Sequence, residues 1–323
     1  MRHLFIINPV SKRIKGKTKP VKDEITAFFS QHPEIKYDIY VSEWCRDAVM
    51  YIQDYVADVK DETVRVHSIG GTGTLFEVIN SVAGLSNVEV AAHPYGKANA
   101  FLRYFGNKKV KLFRSLKSQV FGKAVPMDIV RCGNNYGICY GMTGLEARSN
   151  VLGDKWIDIG MPIDLSYMLA GMGLVLKGKV SQNYFIDIDG EKIEGDFTSV
   201  MVANAPCYGR NMFPAIDAHP DDGILDVYIF KKTSKIKLVR SVPVHTHGGC
   251  RKLPDLVSHY RAKKVKMLSD EVMCMSIDCE HFYGTSMEYE IVPKAIQFVC
   301  PDVIDLKKLP RTYNKPKEGP RSE

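Results

Sequence analysis

Long apolar runs are missing from this chain of 323 residues. The longest, residues 167–176, is well short of the roughly 20 apolar residues that a membrane-spanning helix needs. A strand-like segment follows Met1 and Arg2 directly, without the apolar stretch of a secretory signal. The sequence therefore predicts a cytoplasmic protein without a transmembrane helix.

Cysteine pairs at metal-binding or redox spacing are also missing. The eight cysteines are scattered, none belongs to a Cys-x-x-Cys motif, and several lie in apolar segments. This pattern favours reduced, buried thiols over disulfides or a zinc site. His245 and His247 could approach a metal together, but no cysteine or carboxylate stands at ligand spacing beside them. We interpret that segment as a polar loop.

Negative charge is the minority, because 44 lysines and arginines oppose 37 aspartates and glutamates and leave a net charge of +7. Basic residues cluster in residues 108–111, 261–264 and 307–321. Such clusters favour anionic partners. Aromatic residues do not interleave with them as in RNA-binding motifs, so we expect no nucleic-acid partner. A nucleotide or an anionic membrane surface remains, and the latter would hold the protein peripherally at the inner membrane face.

The most informative segment that is present is a glycine turn, Gly70-Gly71-Thr72-Gly73-Thr74. It follows the β-branched residues 63–69 and precedes the amphipathic residues 75–82, which is the order strand, turn, helix. Glycines let the backbone approach an anion closely, and the amides and dipole at a helix N-terminus favour negative charge. The segment therefore predicts a phosphate-binding turn, the alternative being a turn that only redirects the chain.

Two commoner phosphate motifs are lacking. Phe76 stands where a dinucleotide fingerprint needs its third glycine, and the turn does not end in the Gly-Lys-Ser/Thr of a P-loop. A second candidate, Gly16-Lys17-Thr18, has Ser11 at the position of the P-loop's first glycine. We interpret the basic residues of 12–19 as a solvent-exposed loop.

The first third of the chain alternates strands and helices. The predicted strands are 3–8, 36–41, 63–69 and 88–92, and the predicted helices are 20–31, 45–59 after a Ser42 cap, and 74–83. Such alternation is typical of a parallel sheet, whose ligands bind beyond the carboxyl ends of the strands. Asn8 and the glycine turn both fall at such ends, so we expect them to line one cleft.

From about residue 123 the pattern changes to short strand-like segments separated by turn signals such as Asp189-Gly190. This pattern is typical of an antiparallel sandwich, here interrupted by one predicted helix, 163–176. We predict an α/β domain over 1–122 and a β-sandwich domain over 123–300, whose last segment packs back on the first. A basic, proline-rich tail over 301–323 is expected to be disordered.

Several segments occur in the same order as in one known family. They are Asn8-Pro9-Val10-Ser11, the glycine turn with Glu77 and Asn80, Pro94 to Asn99, residues 141–147, residues 202–205, residues 208–214, residues 221–226 and Asp278-Cys279-Glu280. On these motifs the chain resembles the diacylglycerol kinase catalytic family, which includes bacterial lipid kinases and sphingosine kinases and is distantly related to NAD kinases. The resemblance implies a Rossmann-like α/β nucleotide-binding domain and a mainly antiparallel β-sandwich domain, with the active site in the cleft between them.

The resemblance also implies a reaction in which ATP, with Mg²⁺, phosphorylates a lipid that has a free hydroxyl. The residues that it places at the nucleotide are Asn8, Gly70, Gly71, Thr72, Gly73, Thr74, Gly96, Lys97 and Asn99. Asp278 and Glu280 would orient or deprotonate the acceptor hydroxyl, and alternate residues of a strand share a face, so both carboxylates can reach one site. Asp222 and Asp226 are implied as a magnesium site, with a turn as the alternative.

The chain departs from the family pattern at four of these positions. Thr72 and Ala100 replace aspartates, Lys97 replaces a threonine, and Cys279 replaces a glycine. Loss of a catalytic acid or base commonly lowers a rate by about 10² to 10⁴. Three functions are therefore compatible with the sequence: a lipid kinase with an altered nucleotide site, a nucleotide- or lipid-binding protein without turnover, and a kinase of a soluble hydroxylated metabolite. The acceptor, the nucleotide preference and a homodimer are left open.

Overall fold

The computed structural model describes residues 1–59, 62–209, 212–278, 280–304 and 309. The predicted tail, residues 301–323, lies outside the described residues apart from 301–304 and 309. Within the described part of the chain, no helix combines the length and the hydropathy that crossing a membrane requires.

Strands and helices alternate in the first part of the chain, as predicted. They are β1 (Arg2–Ile7), α1 (Thr18–Ser30), β2 (Lys36–Val41), α2 (Asp47–Asp58), β3 (Val64–Gly70), α3 (Thr72–Val82) and β4 (Val88–Pro94). The strands pair in parallel in the order β2-β1-β3-β4. Two short 3₁₀ helices, Phe101–Phe105 and Val110–Arg114, and helix α4 (Leu116–Val120) follow. The α/β architecture is confirmed.

Helix α2 begins at Asp47, later than predicted, and Ser42 does not cap it. The carboxylate of Asp47 instead accepts hydrogen bonds from the backbone amides of Glu43 and Trp44 and from the hydroxyl of Tyr40. Asp47 is buried, so its carboxylate requires such donors. The tight turn that they close fixes the start of the helix.

The second part of the chain consists mainly of antiparallel strands, as predicted. Its elements are β5 (Lys123–Cys132), β6 (Asn135–Gly137), β7 (Tyr140–Gly144), α5 (Leu145–Asp158), α6 (Ile163–Lys177), β8 (Gln182–Ile188), β9 (Glu191–Ala203), β10 (Leu225–Lys231), α7 (Lys235–Thr246), β11 (Val257–Ala262), β12 (Lys264–Ile277) and β13 (Glu280–Cys300). A 3₁₀ helix, Cys250–Lys252, precedes β11. Strand β12 pairs with β7, β8 and β13, which closes the sandwich around a separate apolar core.

Helix α6 confirms the predicted helix, but the prediction of a single helix in this part is wrong. Helix α5 contains Gly153, and α7 contains Pro243 among β-branched residues, so neither has a regular amphipathic pattern. Packing stabilises both helices. A β-carbon on Gly153 would lie 2.3 Å from the ring of Tyr167, so α5 and α6 are in close contact. Leu238 of α7 is buried in the same cluster as residues of α5 and α6.

Strand β13 joins the two parts of the molecule. It pairs antiparallel with β12 and β5, and its last residues pair in parallel with β4 at Gln297 and Phe298. The described strands therefore form one continuous hydrogen-bonded sheet. The start of β13 lies beside the first part of the chain as well, which positions Glu280 for the site described below.

Three buried histidines form a line across the core of the first part. Nδ1 of His3 lies 3.0 Å from Nε2 of His67, and Nδ1 of His67 lies 3.0 Å from Nε2 of His93. Burial lowers the pKa of His3 to about 4 and that of His93 to about 3, and it holds the pKa of His67 well below its ordinary value. The three rings are therefore neutral at pH 7 and hydrogen-bond to one another.

Candidate functional site

The loops after β1 and β3 meet at the carboxyl end of the parallel sheet. Nδ2 of Asn8 donates to Oγ1 of Thr74 in the first turn of α3 (3.1 Å), and Oδ1 of Asn8 accepts from the amide of Val10 (3.1 Å). Thr74 is buried, and a β-carbon on Gly70 would lie 2.1 Å from its Oγ1. Glycine is therefore required at position 70 for Thr74 to reach Asn8.

The loop after β4 packs directly on the glycine turn. A β-carbon on Gly96 would lie 2.2 Å from Cα of Gly71, so the two backbones are in contact. Asn99 holds this loop in place: its Oδ1 accepts from the amide of Gly96 (3.2 Å), and its Nδ2 donates to the carbonyl of Gly96 (3.1 Å). Its φ of 52° is left-handed. Asn99 therefore positions Gly96 through both of its side-chain groups.

The open side of this loop cluster is the N-terminus of α3. Thr72 begins the helix after Gly71, and the first-turn amides of a helix have no intrahelical acceptor. Gly73 is exposed and Thr72 is half-buried. These amides and the helix dipole favour an anion at this position. The predicted phosphate-binding residues are therefore brought together around one accessible helix end.

Lys97 and Ala100, both at positions that depart from the family pattern, have structural partners. Nζ of Lys97 lies 3.4 Å from the carbonyl oxygen of Ile157 in the last turn of α5, where a positive charge complements the helix dipole. Ala100 is 3% exposed, and its carbonyl accepts from the thiol of Cys207 (3.0 Å). Lys97 thus bridges the two parts of the molecule, and Ala100 belongs to the core.

The surroundings of Asp278 differ from those expected of a residue that faces an acceptor hydroxyl. It is 2% exposed, and its carboxylate accepts from the backbone amides of Ile138 (2.8 Å), Cys139 (2.9 Å) and Tyr140 (3.1 Å). Burial raises the pKa of this carboxyl group, although these hydrogen bonds oppose the shift. Asp278 therefore fixes the chain between β6 and β7. Cys279, its neighbour in the motif, lies outside the described residues.

Glu280 does face the first part of the molecule. Its carboxylate lies 3.5 Å from the guanidinium of Arg46, just before α2. The backbone amide of Arg46 donates to Glu77 of α3 (3.1 Å). Burial raises the pKa of Glu77, and the charges of Asp47 and Glu280 raise it further. Carboxylates from two domains therefore converge near Arg46, which sequence reasoning missed because only folding brings residues 46, 77 and 280 together.

A second contact that the sequence did not indicate couples β13 to α5. Nε2 of His281 lies 3.1 Å from the carboxylate of Asp154, which also accepts from the hydroxyl of Tyr167 (2.6 Å). Nδ1 of His281 is buried without a hydrogen-bond partner among the described residues. The last turns of α5 thus contact both the strand that carries Glu280 and the loop that carries Lys97.

A cavity of about 410 Å³ lies between helices α5 and α6 and strands β12 and β13. One face of α5 lines it with residues spaced three and four apart, and α6 contributes Leu174. The lining combines apolar side chains, such as Val151, Leu152 and Val272, with charged ones, namely Arg148, Lys155 and the ion pair of Lys179 with Glu271. A chamber of this size and mixed character suits an amphiphilic molecule.

Asp222 and Asp226, the implied magnesium ligands, lie in a cluster of ion pairs. Asp222 pairs with Arg261 (2.5 Å), and Asp226, which is fully buried, pairs with His259 (2.6 Å) and lies 4.0 Å from Arg261. No group of three or more potential metal ligands occurs among the described residues. The arrangement fits domain packing, because Arg261 and His259 already occupy the space beside the two carboxylates. Arg210 and Asn211, in the neighbouring motif, lie outside the described residues.

Two known domain families match the chain over most of its length. The diacylglycerol kinase catalytic domain matches residues 2–132, and the YegS C-terminal NAD kinase beta sandwich-like domain matches residues 141–300. Residues 2–132 therefore match the diacylglycerol kinase catalytic domain family, and most of the remaining chain matches the domain that carries the YegS name. This result confirms the resemblance seen in the motifs.

Similar proteins of this family cover nearly the full length of the chain. A protein of Shewanella frigidimarina named "Probable lipid kinase YegS-like" is 25% identical over 300 residues, which cover 89% of this chain and 91% of that protein. A Staphylococcus aureus protein named as a lipid kinase is 27% identical over 273 residues, covering 81% and 85% of the two chains. A crystal structure of a diacylglycerol kinase from Bacillus anthracis superposes with a TM-score of 0.67 at 19% identity, covering 94% and 98%, which shows a shared fold.

Proposed function

We propose that the protein is an ATP-dependent lipid kinase that transfers the γ-phosphoryl group to a hydroxyl of diacylglycerol or a related lipid. The observation that carries this proposal is the position of helix α5, which connects the cavity with the loop after β4. Lys155 of α5 lines the cavity, and two residues later the carbonyl oxygen of Ile157 lies 3.4 Å from Nζ of Lys97, in the loop after β4. Because a helix rises about 1.5 Å per residue, one end of the cavity lies close to the phosphate-binding loops.

The lining of the cavity supports a lipid acceptor. Val151, Leu152 and Leu174 offer an apolar wall for hydrocarbon, while Arg148 and Lys155 offer charged groups for the polar part of the molecule. A soluble metabolite would leave that apolar wall in contact with water, which is unfavourable. The cavity therefore favours an amphiphile over a small polar acceptor.

Glu280 is the group that we assign to the acceptor hydroxyl. It lies at the boundary of the two domains, and its carboxylate can orient the hydroxyl and accept its proton as the oxygen attacks phosphorus. The amides of Thr72 and Gly73 hold the phosphates, and Arg46 adds positive charge near the transferred group. Asp278 keeps the chain after β6 in place, and Asp154 keeps β13 against α5 through His281.

The carboxylates near Arg46 fit the Mg²⁺ that usually accompanies ATP. Kinases commonly bind this ion through one or two carboxylates together with substrate phosphates. Glu77, whose carboxylate accepts from the backbone amide of Arg46, would supply such oxygens, while Glu280 is assigned to the acceptor hydroxyl. When bound, the ion would neutralise charge on the phosphates.

A second candidate function is nucleotide or lipid binding without turnover. The specific observation that favours it is Ala100, a buried residue that provides no carboxylate at a position where the family has one.

One experiment separates the candidates. Labelled ATP and Mg²⁺ are incubated with diacylglycerol in mixed micelles, using the wild-type protein, Glu280→Gln and Gly71→Val, and thermal shifts with Mg-ATP are recorded in parallel. Transfer by the wild type that both variants lose supports the kinase. Stabilisation by ATP that only Gly71→Val loses, without transfer to any lipid, supports the binding protein. Transfer to soluble alcohols alone supports the metabolite kinase.

A further inference from the structure

Helix α6 presents a continuous apolar face to solvent. Five side chains of this face, which we call the α6 stripe, are between 36% and 67% exposed: Leu165, Met168, Leu169, Met172 and Leu176. Their spacing of three and four residues places them on one side of the helix. Residues 165–176 contain no charged side chain. Isolated exposed apolar residues are ordinary, but a contiguous stripe indicates an interaction surface.

Basic side chains border the stripe. Nζ of Lys235, at the start of α7, lies 2.9 Å from the carbonyl oxygen of Leu176, so α7 begins where the α6 stripe ends. Helix α7 also exposes Lys237 and Arg240 together with Ile236, and residues 235–246 contain no aspartate or glutamate. An apolar face beside a purely basic helix is complementary to one partner chemistry, namely hydrocarbon below anionic headgroups.

We propose that the α6 stripe inserts into the interfacial layer of an anionic membrane while Lys237 and Arg240 contact the headgroups. Helix α6 would lie in the plane of the membrane, because Ile163–Lys177 is too short to span it. The cavity supports this orientation, since Leu174 of the same helix lines it and a lipid would enter without leaving an apolar surface. The inference goes beyond the proposed function, because membrane binding requires neither ATP nor phosphoryl transfer.

The basic clusters that the sequence indicated are less suited to this role. Arg261 pairs with Asp222, and Lys264 pairs with Glu288 (2.8 Å), so their charges are already balanced. Lys108, Lys111 and Lys263 are exposed. The apolar and basic helices α6 and α7 therefore form the stronger candidate surface, and the exposed lysines of residues 108–111 provide a matched comparison.

Co-sedimentation with vesicles of phosphatidylglycerol and phosphatidylcholine, without ATP, tests the proposal. Met172→Glu is compared with Met50→Glu, an exposed methionine on α2, and Lys237→Glu/Arg240→Glu is compared with Lys108→Glu/Lys111→Glu. We expect Met172→Glu to lower partitioning about tenfold at low and high salt. Lys237→Glu/Arg240→Glu should lower it about 30-fold at low salt and much less at high salt, and only on anionic vesicles. The two comparison variants should bind like the wild type.

Three results would overturn this assignment. The first is vesicle binding by Met172→Glu at the level of the wild type, and the second is loss of vesicle binding in Lys108→Glu/Lys111→Glu. The third is a dimer in sedimentation velocity that Met172→Glu dissociates, because this would assign the stripe to a second copy of the chain. Activity on a short-chain diacylglycerol dissolved below its micelle concentration keeps the two proposals apart. If Met172→Glu retains that activity and loses vesicle binding, the membrane surface is supported; a wild type that binds vesicles but is inactive contradicts only the kinase.

Discussion

Asp278 and Glu280 stand two residues apart, yet their carboxylates have different surroundings. Asp278 is enclosed and accepts three backbone amides, whereas Glu280 is part-exposed and lies 3.5 Å from Arg46 across the domain boundary. Because the carboxylate of Asp278 is 2% exposed and already accepts three amides, it is poorly placed to meet a substrate hydroxyl. The two acidic residues of the motif therefore differ here: Asp278 is committed to backbone amides, and Glu280 is the one that we propose for the acceptor hydroxyl.

Asp278→Asn and Glu280→Gln should consequently fail in different ways. The asparagine would leave at least one buried amide without an acceptor, so we expect unfolding to become easier by about 1 to 3 kcal/mol per amide. The glutamine disrupts a part-exposed ion pair worth at most about 1 kcal/mol, but it should lower turnover by about 10² to 10⁴. Urea unfolding and kinase assays on both variants measure this contrast. Equal stability losses would refute it.

Gly96→Ala tests the contact between the loop after β4 and the glycine turn, the two segments that we propose bind the nucleotide. Its β-carbon would overlap Cα of Gly71, so we expect a loss of about 1 to 3 kcal/mol in stability and a weaker thermal shift with Mg-ATP. Gly173→Ala is the matched control, because a β-carbon there meets nothing within 4 Å. The control should be neutral or stabilise α6 by up to about 1 kcal/mol. An unchanged ATP response in Gly96→Ala would contradict the assignment of these loops.

Restoring the family aspartates should have opposite results at the two positions. Thr72→Asp places a carboxylate in the first turn of α3, where the helix dipole favours it, and we expect kinase activity to rise by about tenfold or more. Ala100→Asp buries a charge among apolar residues and should lower stability by about 3 to 5 kcal/mol. Activity and melting temperature of each single variant provide the measurement. A stable Ala100→Asp protein would show that this loop rearranges.

The histidines should give the protein maximal stability near pH 6.5. His3, His67 and His93 have pKa values below 6.5 in the folded state, so the unfolded chain binds more protons as the pH falls from 6.5 towards about 4. Each histidine then lowers the free energy of unfolding by up to about 1.4 kcal/mol per pH unit. Above pH 6.5 stability falls as the pH rises, because His245, which lies 2.5 Å from Glu146, keeps its proton in the folded state after the unfolded chain has lost it. Burial lowers its pKa, but Glu146 and Cys250 outweigh this and raise it to about 10.

Urea unfolding across this pH range tests the prediction. His67→Phe should flatten the acid side, since the ring of Phe5 already stacks on position 67 (4.1 Å) and one titrating group is removed. His247→Gln, on an exposed residue, is the control and should leave the profile unchanged. A profile that His67→Phe does not alter would mean that other groups determine the acid limb.

Local sequence determined the strand, glycine turn and helix for which phosphate binding is proposed, because the three follow one another within about 20 residues and each depends on its own backbone preferences. The same holds for the parallel α/β order and for α6. Helices α5 and α7 were missed, since Gly153 and Pro243 weaken the local pattern and contacts with distant residues stabilise them.

The tertiary structure alone decided the partners of the polar side chains. Whether an aspartate ligates a metal or pairs with an arginine depends on residues far along the chain, as Asp222 and Arg261 illustrate. Glu280 meets Arg46, and Lys97 meets Ile157, for the same reason. Backbone preference acts between neighbours, so a sequence displays it directly. Electrostatic and hydrogen-bond partners are chosen by proximity in space, which exists only after the sheet has assembled.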